Sequence, residues 1–265
     1  MYCDSSSTFD GVIMANYQVA LVTGATGGIG SAIAKKLVAQ GLKVVITGRN
    51  EEKLTQLACE LGKENVLYYQ VFDINDYEAM KAFVVKLEEK GIKIEVLVNN
   101  AGLALGLGSF QDYDVSDMIT MIDTNIKSLL LLSNLILKDM VQQNHGLVIN
   151  IGSTAGQFAY PNGAVYCASK AAVKMLSDGM RVDLMATDVK VTTIMPGMVE
   201  TDFSLVRFKG DSEKAATVYR GIEALQGEDV AEAIWYVVSQ PKRVQVSEIA
   251  LLANQQGNGF TNFKK

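Results

Sequence analysis

The sequence holds one histidine, three cysteines and three prolines among 265 residues. A lone histidine, His145, leaves no imidazole pair to hold a metal, and any His-based triad would have to use that one residue. It sits in Gln142-Gln143-Asn144-His145-Gly146, which reads as a polar turn ahead of a strand. Cys3, Cys59 and Cys167 cannot all pair within one chain, and none belongs to a CxxC, so the simplest compartment is a reduced, cytoplasmic one. No apolar run reaches the roughly 18 residues of a membrane span, and the longest candidate, residues 129–137, is interrupted by Ser133 and Asn134. Positive charge is not in excess either. The 24 Lys+Arg against 29 Asp+Glu leave a net charge of −5, which gives no general pull toward nucleic acid or an anionic membrane. The first 14 residues contain no Lys or Arg and so lack the basic start of a signal peptide. They are polar and unpatterned, and are set outside the fold as a disordered or alternative-start extension, with Met14 as a second possible start.

What is present suffices for a large core, since hydrophobic residues make up 49% and charged residues 20%. Strand-like Val/Ile/Leu runs at 19–22, 44–47, 66–72, 94–98, 147–151, 189–194 and 249–252 alternate with helix-like segments at 31–40, 51–61, 77–90, 115–142, 165–186 and 229–239. Gly41, Gly62 and Gly91 close the first three helices. Strands that are apolar throughout are expected where helices cover both faces, and regular β–α alternation implies a parallel, doubly wound sheet. The expected fold is a single α/β domain over 15–265, of Rossmann type, with a seven-stranded parallel sheet.

The first strand runs into Thr23-Gly24-Ala25-Thr26-Gly27-Gly28-Ile29-Gly30 and then into a helix. In that context a glycine-rich turn brings bare backbone and a helix N-terminus to a pyrophosphate. Gly24 would make the turn, Gly28 would admit the phosphates, and Gly30 would let helix and strand pack closely. The second strand ends in Thr47-Gly48-Arg49-Asn50, with no acid for a ribose 2′-hydroxyl. Arg49 suits a 2′-phosphate instead, so NADP(H) is expected over NAD, the bland alternative being a solvated surface arginine.

Tyr166-Cys167-Ala168-Ser169-Lys170 places a phenol and an ammonium four residues apart, on one face of an expected helix. A neighbouring ammonium would lower the tyrosine pKa toward neutrality and make it a usable acid/base. Ser153, at the end of the preceding strand, could hold a carbonyl oxygen. Cys167 is expected to be a buried small hydrophobe rather than a redox group. Arg207, in Val206-Arg207-Phe208-Lys209-Gly210-Asp211, falls in an expected flexible segment after Pro196-Gly197. It reads either as the partner of a substrate carboxylate or as a structural or subunit-contact residue.

The glycine loop, Asn99-Asn100-Ala101-Gly102, Asn125, Ser153, Tyr166, Lys170 and Pro196-Gly197 occur in one order, and together they resemble the short-chain dehydrogenase/reductase family from Tyr17 to about Leu252. The resemblance implies an enzyme acting on CH–OH groups, with Tyr166 as acid/base and Lys170 lowering its pKa and holding the nicotinamide ribose. It gives Ser153 the substrate oxygen and Asn125 a water relay from Lys170. The cofactor would be bound by Gly24, Thr26, Gly28, Ile29, Gly30, Arg49, Asp73, Ile74, Asn100, Ala101, Gly102, Pro196, Gly197, Val199 and Thr201, with Tyr166 and Lys170. No metal is implied. The segments NNAGLALG, MIDTNIKSLL, NHGLVINIGSTAG and VRFKGD resemble the NADP-dependent 3-hydroxy acid (serine or allo-threonine) dehydrogenase group more closely. That implies a homotetramer acting on short 3-hydroxy acids or their semialdehydes. Asn50 departs from the two basic residues that this group often carries after the second strand. Competing expectations are a reductase of another small aldehyde or ketone (sulfoacetaldehyde, a 3-oxoacyl group) and a non-catalytic NADP(H) sensor.

Overall fold

The structure is a computed structural model that describes residues 16–259 and 261–264, so the expected extension at 1–14, with Cys3, lies outside the described residues. Seven strands, β1 Val19–Val22, β2 Lys43–Gly48, β3 Val66–Val71, β4 Val96–Asn99, β5 Gly146–Ile151, β6 Val189–Pro196 and β7 Glu248–Leu251, form one sheet in the order β3-β2-β1-β4-β5-β6-β7. Every pairing is parallel. Central strands such as β4 and β5 are buried at each residue, as their unbroken apolar runs require, whereas the edge strand β3 alternates half-buried and exposed positions.

Helices cover both faces. On one side α1 Gly28–Ala39, α2 Glu51–Leu61 and α9 Gly227–Val238 close over Val22, Ile46, Val98 and Ile149. On the other, α3 Tyr77–Glu89 and α5 Ser128–Gln143 bring Phe83, Leu132 and Ile136 onto Leu21, Val45 and Leu97. Gly41, Gly62 and Gly91 follow α1, α2 and α3 with positive φ, as expected. His145 sits in the turn before β5 and also stacks on Tyr17, ring centroids 4.9 Å apart.

Two expectations are corrected. The helix expected at 115–142 is not continuous α-helix. It runs as α4 Val115–Ile122, a π turn Asp123–Lys127 and then α5, the Ser128 N–H reaching the Asp123 carbonyl. Apolar spacing does not reveal one surplus residue inside a turn. The segment expected to be flexible after Pro196-Gly197 contains two short helices, α7 Phe203–Arg207 and α8 Ser212–Tyr219. Asp211 starts α8 by accepting from the Lys214 N–H at 3.0 Å.

Four buried polar side chains tie the sheet to the helices behind it. The Asn99 amide donates to Asn150 Oδ1 (2.8 Å) and Ser133 Oγ (2.9 Å), and the Asn150 amide donates to Ser177 Oγ (2.9 Å). Ser177 lies on α6 Ala164–Asp183. Asn150→Ala should lower the urea-unfolding midpoint at a cost of about 1–3 kcal/mol, because it orphans buried partners. Combining it with Ser177→Ala should cost less than the sum of the two, since they share one bond.

Candidate active site

The strand order reverses between β1 and β4, and the loops leaving their C-terminal ends diverge there. A parallel sheet opens a crevice at such a point, and a cavity of about 560 Å³ occupies it. Gly24, with φ +61°, turns the chain out of β1, and Ala25 N–H bonds the Thr47 carbonyl at 2.9 Å. α1 then starts from Gly27 with no side-chain cap and no acid in its first turn, while α2, α3, α4 and α8 begin on Asn50, Asp76, Asp114 and Asp211 caps. The uncapped first-turn N–H groups and the positive end of the α1 dipole are left for an anion.

The glycines leave no spare room. A Cβ on Gly28 would lie 2.7 Å from Thr201 Cγ2, and one on Gly30 would lie 2.3 Å from the Gly24 carbonyl oxygen. Asn100 braces the loop, its amide donating to the Thr23 and Gly24 carbonyls at 2.8 and 3.1 Å. Thr23 was not expected here. Its hydroxyl accepts from the Asn100 and Ala101 N–H groups, both at 3.0 Å, and so stitches the β1 and β4 loops together. Only its place at the head of the glycine string could have pointed to it.

Arg49 lies at one end of the cavity wall, largely exposed and 3.9 Å from Asp73. Thr26 packs beside Gly48 rather than on the wall. Asn50 turns inward to cap α2, accepting from Lys53 N–H at 2.8 Å. Asp73 and Ile74 are not on the wall. Asp73 reaches it only through Arg49, and Ile74 packs into the core beside α3. Gly24, Gly28, Ile29, Gly30, Asn100, Ala101, Gly102, Pro196, Gly197, Val199 and Thr201 all line the cavity. This cradle, uncapped at its helix end and cationic at Arg49, fits the phosphates of a dinucleotide.

Ser153, Tyr166 and Lys170 share the opposite wall. Tyr166 and Lys170 project from one face of α6, and both are buried. Lys170 Nζ donates to the Ile151 carbonyl at 2.9 Å, and burial pushes its pKa down to about 8. Burial pushes the Tyr166 pKa up, while the Arg207 guanidinium and then a hydrogen bond with Ser153 draw it down. The Lys170 Nζ also lies over the Tyr166 ring, 6.0 Å from its centre. Asn125, in the π turn, is off the cavity wall but directly behind it. Its amide group exchanges two 2.8 Å bonds with the Leu103 backbone and donates to Ser169 Oγ at 3.0 Å. Asn125 and Lys170 meet across Gly102, where a Cβ would lie 3.2 Å from Asn125 Oδ1 and 3.3 Å from Lys170 Nζ. Cys167 is buried beside them, where burial raises its thiol pKa.

Arg207, on α7, lies over the same wall. Its Nη2 donates to the Tyr160 hydroxyl at 2.7 Å, and its Cζ is 5.0 Å from the Tyr166 ring centre and 5.3 Å from that of Phe203. Its Nε is buried and has no hydrogen-bond partner among the described residues. Tyr160 and Phe203 went unread in the sequence, because nothing in residue type or spacing ties either one to Tyr166.

A family model described as short chain dehydrogenase matches residues 18–211. The chain is 47% identical over 235 residues to the NADP-dependent 3-hydroxy acid dehydrogenase YdfG of Salmonella typhi, covering 88% of this chain and 94% of the relative. It is 41% identical over 239 residues to sulfoacetaldehyde reductase 2 of Chromohalobacter salexigens, covering 90% and 95%. A solved structure of serine dehydrogenase in its closed form, complexed with NADP+, is 43% identical and superimposes with a TM-score of 0.89 over 94% of this chain and all of that one. If the glycine cradle receives a dinucleotide, Gly28→Ala should weaken nicotinamide-dinucleotide binding about tenfold or more in a fluorescence titration, as overpacking by about 1–3 kcal/mol implies.

Proposed function

The chain belongs to the short-chain dehydrogenase family, and on that premise we propose that it is an NADP(H)-dependent oxidoreductase of short 3-hydroxy acids and their 3-oxo acids or semialdehydes, of the serine, allo-threonine and 3-hydroxypropionate type. The observation that carries the substrate class is Arg207 on the wall of the cavity that also holds Ser153, Tyr166 and Lys170, a guanidinium with no carboxylate paired to it among the described residues. Such a cation offers a carboxylate charge-assisted hydrogen bonds.

The dinucleotide, when bound, supplies or accepts the hydride. Its phosphates would be held by the N-terminal turn of α1 and the glycine backbone, and a 2′-phosphate by Arg49, with no acid at the end of β2 to favour a free ribose hydroxyl. Ser153 would donate its hydroxyl proton in a hydrogen bond to the substrate oxygen and orient it. Tyr166 would give that oxygen a proton in reduction and take it back in oxidation. Lys170, anchored on the Ile151 carbonyl, would hold the nicotinamide ribose, and Asn125 behind it would support a proton path away from Lys170. Arg207 would seat the carboxylate, with Tyr160 fixing its plane. Exposed apolar side chains on α4 and α6, among them Ile119, Ile122, Met175 and Val182, support association into the proposed tetramer. A sulfonate calls for the same cation, so a small sulfonated aldehyde is the second substrate reading. Among the described residues, no helix is long and apolar enough to cross a membrane.

NADPH absorbance should report turnover of malonic semialdehyde, and NADP+ reduction should accompany oxidation of L-serine or 3-hydroxypropionate, with 2-propanol far slower. Tyr166→Phe should lose about 10²–10⁴-fold of that rate, the usual share of a general acid/base. Binding of NADPH with no turnover of any of these acids would move the assignment to another small aldehyde. Separately, Arg207→Ala should raise KM for 3-hydroxypropionate about ten- to a hundredfold, as loss of a charge-assisted hydrogen bond implies. An equal effect on an uncharged alcohol would make Arg207 a structural residue.

A further inference from the structure

The turn between α7 and α8 puts a lysine where a helix end ordinarily takes glycine. The Gly210 N–H bonds the Leu205 carbonyl at 2.9 Å and the Lys209 N–H bonds the Val206 carbonyl at 3.1 Å, the paired bonds that close a helix through a left-handed residue. That residue is Lys209, with φ +51°, and glycine comes only after it, at Gly210. A side chain is unfavourable in this conformation, so a lysine here calls for a contact that holds it. The contact is Asp117, on α4, whose Oδ2 lies 2.9 Å from Lys209 Nζ. We propose that Asp117 and Lys209 are positioning residues for the anionic end of the substrate: their ion pair holds the α7–α8 turn down on the loop after β4 and so keeps the Arg207 guanidinium in register with Ser153 and Tyr166. This rests on the reading of Arg207 as the partner of a substrate carboxylate.

Asp117 is not needed to start its own helix. It falls in the first turn of α4, but that helix is already capped by Asp114, which accepts from the Ser116 N–H at 2.8 Å. The Asp117 side chain is only 11% exposed, and Lys209, 58% exposed, is its one ion-pair partner among the described residues. A carboxylate so far out of water is costly without a cation, so this pair is worth more than one between two exposed side chains.

Two fastenings hold the α7–α8 segment, at opposite ends. Beside residues 196–201, the Tyr219 hydroxyl on α8 donates to the Val199 carbonyl at 3.0 Å and meets Ser204 Oγ at 2.8 Å. At the other end, the Gly106 N–H donates to the Arg207 carbonyl at 2.8 Å, two residues before Lys209. Gly106 lies against Asp117, since a Cβ on it would be 3.6 Å from Asp117 Oδ2, and the Tyr113 hydroxyl is shared between the Leu105 and Gly106 carbonyls. Arg207 thus has its backbone pinned by Gly106, its guanidinium by the Tyr160 hydroxyl, and the turn that follows it by Asp117. Without the ion pair, this end rests on one backbone hydrogen bond and the Arg207 side chain itself, and the guanidinium gains room to move. The Tyr219 fastening involves neither Asp117 nor Lys209, so dinucleotide binding should not register the loss.

The test compares wild type with Lys209→Gly, Lys209→Arg, Asp117→Asn and Arg207→Ala. Glycine suits the left-handed position, so Lys209→Gly should not lower Tm, and its effect on turnover is then not one of folding. With NADP+ in excess, Lys209→Gly and Asp117→Asn should each raise KM for 3-hydroxypropionate about three- to tenfold, between the worth of exposed and buried ion pairs, and leave kcat within about twofold. The rise should stay below that of Arg207→Ala, because the guanidinium is still present. Lys209→Arg should keep a KM near that of wild type. Turnover of 3-hydroxypropionamide, the neutral counterpart, and NADPH binding by fluorescence should be the same in all the Asp117 and Lys209 variants. Hydrogen exchange with NADP+ bound and no substrate should quicken over residues 203–211 in Lys209→Gly and Asp117→Asn, and stay unchanged over α9. A KM for the acid that neither variant raises, or one that rises equally for the amide, would overturn the proposal. So would exchange over 203–211 that neither variant alters. If Arg207→Ala separates the acid from the amide while the Asp117 and Lys209 variants do not, this role falls and the proposed function stands; if Arg207→Ala does not separate them, both fall.

Discussion

Lys170 carries an ammonium into the interior, and the architecture around it can be understood as the solution to that problem. A buried cation is costly unless it is hydrogen-bonded, and otherwise it sheds its proton. Here the Ile151 carbonyl, at the very end of β5, supplies the acceptor, and the pKa of about 8 leaves the amine charged at neutral pH. That bond ties α6 to the end of β5. On the same helix Tyr166 meets Ser153, and a side chain at Gly102 would crowd both Lys170 and Asn125.

The charge pattern of the cavity runs against that of the molecule. The chain is acidic as a whole, yet the cavity wall carries Arg49, Lys170 and Arg207 against a single carboxylate, Asp202, which Lys53 approaches at 3.5 Å. Together with the uncapped end of α1, this makes the crevice attractive to anions at both ends while the outer surface repels them. A molecule with phosphates at one end and a reacting partner with a small anion at the other would find complementary fields there.

Much of this could be read from the residues in order. The strands announced themselves because central parallel strands are apolar on both faces, and Tyr166 with Lys170 showed a shared helical face through spacing alone. Asn99 and Asn100 looked alike in sequence and diverge in space, one into a buried network behind the sheet and the other into the glycine loop. The surroundings of Arg207 were not legible. Tyr160 and Tyr166 reach it from a loop and from α6, and no local pattern records a contact made across more than forty residues. The short helices α7 and α8 were missed for a related reason. Their helical propensity is modest, and Asp211 is the one clear cap signal between them.

The π turn makes chain length itself a functional quantity. Each residue of an α-helix advances it by about 100°, so the surplus residue within Asp123–Lys127 rotates α5 by about that much relative to α4. Removing Asp123, Thr124, Ile126 or Lys127 would restore ordinary helical bonding and relieve a local irregularity. It would also swing Asn125 away from Leu103 and Ser169, on which its side chain is clamped. Along this stretch the helix is held in its less regular form by contacts outside itself, and the number of residues it contains is as constrained as their identity.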